Sequence, residues 1–480
     1  MEHWALQRKV RLKQSLYLCC DDFTKCLRPL SGCLNRYLPH YRGFEKFLGY
    51  HGPGHGYYNY GVGSDQATRD MMEAKSDYDE KAGKFVDQSW KTGESYIGTY
   101  DTELYQIRTT KYIEDHKKTY LEGDEYRPFF MWAAHHGIHS EMDEDPIPPT
   151  SMLTKADKLY LKYLNSIMHD DGDDDHKIFF SMRKVTASVL MAIDFSLRHL
   201  VNCLDENGML MDTVLLVNSD NGGDTIYTKG HPGNNYPLRS AKFQYFEGGI
   251  RVPAFIYAPW VKNFEARFGG KEYHGLMHHV DLLPTFMHIG QGELDINTYK
   301  IDGHNMWPSI LGEHPSPRTE LWLNLPRNKD WTTGERKTEE GVAVRLGDYK
   351  LLLNHVYDEW FSPDVNSPDW HTASSMYSLP CMYSFYGINP HGAFNCTFGG
   401  YLFNVLKDPD EKHNLIGRDD HKDLLMNMIT RIYEAISIEG NNYGSIVYKY
   451  WSNNEESSRA ADAFTENQDF VVPWDCDTIA

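Results

Sequence analysis

The chain has 480 residues, with 48 Lys plus Arg against 68 Asp plus Glu, for a formal net charge of −20. This length is enough to bury a large core and to form two or more domains. The acidic balance argues against a nucleic-acid backbone as partner and means that a polyanionic ligand must be drawn by a local basic pocket. No apolar run approaches a membrane span, and the first 20 residues, which carry Arg8-Lys9 and Arg11-Leu12-Lys13, show no signal peptide.

In chain order, Leu16-Tyr17-Leu18-Cys19-Cys20 is a short apolar run ahead of Asp21-Asp22, in a head that also holds Cys26 and Cys33. The next apolar run predicts a strand over 129–134, followed by the cluster His135-His136-Gly137-Ile138-His139. The acidic stretch His169–His176 lacks the spacing of an EF-hand loop and reads as a solvated insertion. Val185, Val189, Ile193, Leu197, Leu200 and Leu204 recur at three- and four-residue spacing, which predicts an amphipathic helix closed by Asn207-Gly208. Thr213–Val217 then reads as a fully buried strand. Together these elements predict a strand–helix–strand unit with a parallel pair, which sets His139 and Asp220 beyond one edge of one sheet. From about Glu313 the pattern changes to shorter strands and a closing helix near Leu424–Ile436, with a polar tail from about Glu439.

The strand over 213–217 runs into Ser219-Asp220-Asn221-Gly222-Gly223. A carboxylate and an amide offer hard oxygen donors, which suit Ca²⁺ or Mg²⁺. The glycines allow a tight turn and close approach. Downstream stand Asn234-Asn235-Tyr236-Pro237-Leu238-Arg239-Ser240-Ala241-Lys242 and Phe246-Glu247-Gly248-Gly249-Ile250-Arg251. Further cues are Arg42-Gly43-Phe44 with Phe47-Leu48-Gly49-Tyr50, His279-Val280-Asp281, Ser316-Pro317-Arg318-Thr319 and Arg345-Leu346-Gly347-Asp348-Tyr349-Lys350. Cys381 and Cys396 are near enough in sequence for a disulfide under oxidising conditions, and Asn395-Cys396-Thr397 is a glycosylation sequon.

In this order and spacing the motifs resemble the sulfatase family, in particular arylsulfatases of the arylsulfatase B (N-acetylgalactosamine-4-sulfatase-like) type, over about 34–436. The resemblance implies an α/β fold: an alkaline phosphatase/sulfatase-like central mixed sheet flanked by helices, with a smaller C-terminal α+β subdomain. It divides the chain into an unmatched head (1–33), a partial catalytic domain (34–312), a C-terminal subdomain (313–438) and a tail (439–480). It implies sulfuric ester hydrolysis of aryl sulfates or sulfated glycans, with His139 and Lys242 binding sulfate and Asp220 and Asn221 binding Ca²⁺. It also implies a lysosomal or secreted glycoprotein modified at Asn395, with no nucleic-acid partner and no membrane span. Arg251 reads as structural, paired with Glu247 or with backbone carbonyls.

The sequence also departs from the pattern. In such sulfatases two metal-binding aspartates end a first strand, and a Cys-x-Pro-x-Arg cysteine becomes the formylglycine nucleophile, whose hydrate attacks sulfur and expels the alcohol. No cysteine or serine of this chain has proline two places on and arginine four places on. Asp21-Asp22 mimics the aspartate pair but leaves no room for the nucleophile segment before Arg42. Relatives of the arylsulfatase B type carry Glu-Leu-x-His-Asn where this chain has Glu320-Leu321-Trp322-Leu323-Asn324, so Leu323 replaces a histidine. The expectation is therefore a sulfatase with a partial active site, inactive as written. A non-catalytic relative that binds sulfated glycans is the alternative. The stretch 234–242 argues against a phosphohydrolase of the same superfamily.

Overall fold

The computed structural model describes residues 15–18, 39–41, 44–50, 55–62, 68–79, 84–121, 127–139, 146–167, 174–224, 233–242, 244–292, 301–324, 342–353 and 400–439. Asp21, Asp22, Cys381, Asn395 and Cys396 lie outside them.

The larger sheet is mixed. It contains β1 (Ser15–Leu18) and β2 (Lys46–Gly49); after a small ribbon of β3 (Gly61–Val62) and β4 (Thr68–Arg69) come β5 (Met72–Asp79), β6 (Lys84–Thr92) and β7 (Phe130–Ala133). The order is β6-β5-β2-β1-β7, with β1 parallel to β2 and β7 and the other pairs antiparallel. Leu16-Tyr17-Leu18, the described part of the apolar run before Asp21-Asp22, is therefore in an inner strand, and Leu18 pairs level with Ala133. The short distance to Arg42 limits what can follow this strand but does not prevent the strand itself.

Helices α1 (Asp101–His116), α2 (Lys155–Ile167) and α3 (Asp174–Glu206) follow the sheet's antiparallel and parallel parts. Leu104 and Tyr105 of α1 pack on Leu48, Tyr60 and Met71, and Ile113 packs on Cys203, Leu204 and Met209. As expected, Asn207-Gly208 closes α3 just past its last residue, Glu206. A φ of +70° there lets the Met209 N–H reach the Leu204 carbonyl at 2.8 Å. The helix begins earlier than its apolar spacing predicts: Asp174-Asp175-His176 open it, and acidic residues suit the positive end of a helix dipole. Arg183–Glu206 is long and apolar enough to cross a membrane by length and composition alone, a test that the core helix of a soluble protein also passes. Its Val189 and Ala192 are buried against Tyr57, Tyr100 and Met152, the packing of a core helix.

The expected parallel pairing of the strands before His139 and Asp220 is not what forms. β8 (Leu215–Asn218) pairs antiparallel with β9 (Ala254–Tyr257), Leu215 opposite Tyr257 and Asn218 opposite Ala254. β8 is also half-buried to exposed, not fully buried. A continuous apolar run signals a strand but not its neighbour, and Ala254-Phe255-Ile256-Tyr257 is an equally apolar partner.

The C-terminal part is an antiparallel meander of β10 (Glu320–Asn324), β11 (Val342–Leu346), β12 (Tyr349–Leu353) and β13 (Gly400–Asn404), covered by α4 (Lys422–Glu439). Gly347, at φ +54°, opens the two-residue turn between β11 and β12, where a side chain would be strained. Leu425, Met428, Ile429 and Ile432 of α4 fill the core against Val342, Val344, Leu351, Leu353 and Leu402. The closing helix and shorter strands thus lie where the sequence predicts them.

A buried ionic network joins this meander to the segment 239–247. Lys350 Nζ lies 2.9 Å from Glu247 Oε1 and 2.6 Å from Glu411 Oε1, and all three side chains are buried. Burial and the neighbouring Glu247 push the Glu411 carboxyl up to about 7, against the pull of Lys350. Arg239 donates to the Glu411 carbonyl at 2.9 Å and stacks over Phe246 and Tyr401. The side chain of Glu247 thus pairs with Lys350, whereas Arg251 is exposed and gives its backbone N–H to the Glu247 carbonyl at 2.8 Å.

Candidate functional site

Two glycine motifs meet backbone to backbone beyond β8. The Gly222 N–H donates to the Gly249 carbonyl at 2.9 Å. A Cβ on Gly222 would stand 1.7 Å from the Gly248 oxygen, so only glycine fits there. The Asn235 amide clamps the same loop: its Oδ1 accepts from Gly223 N at 2.8 Å, and its Nδ2 donates to the carbonyls of Gly223 at 2.9 Å and Ser240 at 3.0 Å. The Lys242 N–H donates to the Gly223 carbonyl at 3.0 Å. Lys242 is thereby fixed beside the loop that carries Asp220, and it is buried at 8% exposure, not solvated as a lone lysine would be.

Asp220 and Asn221 are adjacent and accessible. The Asp220 carboxylate accepts from Asn221 N at 2.8 Å and from Ser219 Oγ at 3.5 Å. Asn221 Nδ2 donates to the Gly222 carbonyl at 3.0 Å, which leaves its Oδ1 as an acceptor. This donor set fits a hard divalent cation but supplies only part of the six to eight oxygens that Ca²⁺ takes.

His279 also reaches this loop, its Nε2 3.0 Å from Asn218 Nδ2 and 3.2 Å from the Ser219 carbonyl. In the sequence analysis it stood only as part of a matched segment. Two residues on, Asp281 is buried and receives Arg318 Nε at 2.7 Å, a second bond from Arg318 Nη2, and the backbone N–H groups of His304 at 2.7 Å and His278 at 2.8 Å. Burial alone would raise the Asp281 pKa, but the Arg318 guanidinium and these N–H groups hold it below the usual carboxylate range. A carboxylate with a lowered folded-state pKa contributes stability above its unfolded value and loses it as pH falls. Asp281→Asn should therefore lower the denaturant midpoint at pH 7 and flatten its fall below about pH 5; an unchanged acid limb would show that other groups carry it.

His139 closes the loop beyond β7. Its carbonyl accepts from Tyr57 Oη at 2.8 Å, and its N–H donates to the His136 carbonyl at 3.0 Å. The three histidines of the cluster differ in environment. His136 is bonded to Asp101 at 2.9 Å, both fully enclosed. His135 is half-buried, and desolvation lowers its pKa. His139 is half-buried as well.

Residues 41–292 match the model of the Sulfatase family. The chain is 26% identical to mouse (Mus musculus) arylsulfatase J over 334 residues, covering 67% of this chain and 46% of that protein. It is 28% identical to human (Homo sapiens) arylsulfatase A over 230 residues, covering 48% of this chain and 38% of that protein. The chain thus spans less than half the length of these curated relatives. Among solved structures, Ps i-CgsB in complex with k-i-k-neocarrahexaose aligns with a TM-score of 0.54 at 19% identity, covering 96% of this chain and 78% of that one. The PsFucS1 sulfatase from Pseudoalteromonas sp. aligns at 0.52 and 19% identity, covering 88% and 70%. These likenesses bear out the sulfatase-like α/β fold. Sulfatases are sulfuric ester hydrolases and generally bind a divalent metal. With more than half of its residues matched by the family's model, the chain belongs to the sulfatase family.

Proposed function

We propose that the chain carries the sulfate-ester site of an arylsulfatase of the arylsulfatase B type, without the nucleophile. Lys242 and His139 bind the sulfate group, and Asp220 and Asn221 hold Ca²⁺ against it. The observation that carries this reading is the burial of Lys242 together with its 3.0 Å backbone bond to Gly223, two residues past Asn221. A buried lysine whose backbone is bonded to a loop of hard oxygen donors suits an anionic group with a metal counter-ion. Substrates of this class are aryl sulfates or sulfated glycans, and the setting is lysosomal or secreted, with Asn395 glycosylated. The second reading, a non-catalytic binder of sulfated glycans, is favoured by one feature: none of the chain's cysteines or serines has the Cys-x-Pro-x-Arg context.

Calorimetric titration with an aryl sulfate in Ca²⁺ tests the site. Lys242→Ala should weaken binding by about 10- to 100-fold, the value of one charge-assisted hydrogen bond, and His139→Ala should weaken it too. Unchanged affinity in both variants would overturn the assignment.

Ca²⁺ alone should bind weakly, because Asp220 and Asn221 provide two ligands. Submicromolar Ca²⁺ affinity abolished by Asp220→Ala would contradict this expectation. It would point to Asp21 and Asp22, which follow inner strand β1 in sequence, as further ligands.

A further inference from the structure

We propose that His55, Asp101 and His136 form a buried transition-metal site of the zinc type, separate from the Asp220 loop. They come from three places in the fold: the turn before β3, the first residue of α1 and the loop after β7. Their ligand atoms all lie within 4.8 Å of one another. Asp101 Oδ2 is 2.9 Å from His136 Nδ1 and 3.5 Å from His55 Nε2. Ligands of a tetrahedral zinc ion at about 2.0–2.1 Å stand roughly 3.3 Å apart, so the two distances bracket that edge. Two imidazoles and a carboxylate are three of the four ligands such an ion takes, and the donor types suit zinc better than Ca²⁺ or Mg²⁺.

Charge balance supplies the second observation. The Asp101 carboxylate is fully buried, and a buried anion is costly unless a cation answers it. Among the described residues no lysine or arginine pairs with it; its partners are His55, His136 and the Thr102 hydroxyl at 3.0 Å. His55 is fully buried, and neither ring nitrogen completes a hydrogen bond, although Nε2 faces Asp101. Burial lowers the His55 pKa and so favours the neutral ring, the form that ligates metals. The imidazoles stack at 4.6 Å, and Tyr50 sits edge-on to His55 at 4.0 Å, which fixes their planes. A bound divalent ion would displace the proton between His136 Nδ1 and Asp101 Oδ2 and answer the buried carboxylate, leaving one net positive charge for its fourth ligand to meet.

The test uses the untagged full chain expressed with Co²⁺ supplied, washed with chelator and analysed for Co²⁺ and Zn²⁺ per chain. The expected result is one retained ion with the visible absorption of tetrahedral cobalt. His55→Phe keeps a ring against Tyr50 but removes the donor, so the ion should be lost while circular dichroism stays native. Asp101→Asn should act alike, and Asp220→Ala should retain the ion, which separates this site from the proposed sulfate-ester site. A wild-type chain without the ion, or an ion retained by folded His55→Phe, would overturn the proposal and leave a proton-mediated His136–Asp101 pair in its place.

Discussion

Replacing Lys350 with alanine should destabilise the chain by about 3–5 kcal/mol, the cost of removing one partner from a buried ion pair. The reason is local. Lys350 is fully buried and is the cation between Glu247 and Glu411, and the Glu247 backbone N–H also donates to Glu411 Oε2 at 2.6 Å. Without the ammonium, two carboxylates face each other in an enclosed space, and one must take a proton or the meander must part from the segment 239–247. Lys350→Met should cost less when combined with Glu411→Gln and Glu247→Gln, because the stranded charges are then gone. Denaturant midpoints for the single and triple variants measure this. A single variant within about 0.5 kcal/mol of wild type, the range of an ordinary surface change, would show that water reaches the network.

The motifs that carry local geometry were readable in the chain. Gly208 ends α3 because only a residue tolerant of positive φ fits there, and the Leu424–Ile436 periodicity gave the closing helix with its core face. The glycines of Ser219–Gly223 were readable as a tight turn. Their real constraint, a Cβ at Gly222 colliding with the Gly248 oxygen, depends on a loop 26 residues away and left no local signal. For the same reason the antiparallel partner of β8 was missed: apolar strands choose neighbours by tertiary packing.

Of the candidate site residues, Asp220, Asn221 and Lys242 share one backbone-bonded loop system, and His279 reaches it from a separate turn. The trio His55, Asp101 and His136 was invisible because each residue looks ordinary in its own segment. Glycine-rich sequence surrounds His55, a helix start surrounds Asp101, and His136 stands next to the more conspicuous His139.

The most direct measurement of the central claim is hydrolysis of a chromogenic aryl sulfate by the purified chain, run beside the binding titration. The account predicts binding without turnover above background. In the proposed assignment Lys242, His139 and a divalent cation hold the sulfate group, but ground-state binding alone does not lower the barrier to S–O cleavage. The step needs a nucleophile at sulfur, and no cysteine or serine of these 480 residues stands in the Cys-x-Pro-x-Arg context that formylglycine formation reads. Binding that is lost in Lys242→Ala, with no multiple turnover in the unchanged chain, is the predicted outcome. Multiple-turnover hydrolysis by the unchanged chain, abolished by Lys242→Ala, would contradict it and would mean that another side chain serves as the nucleophile.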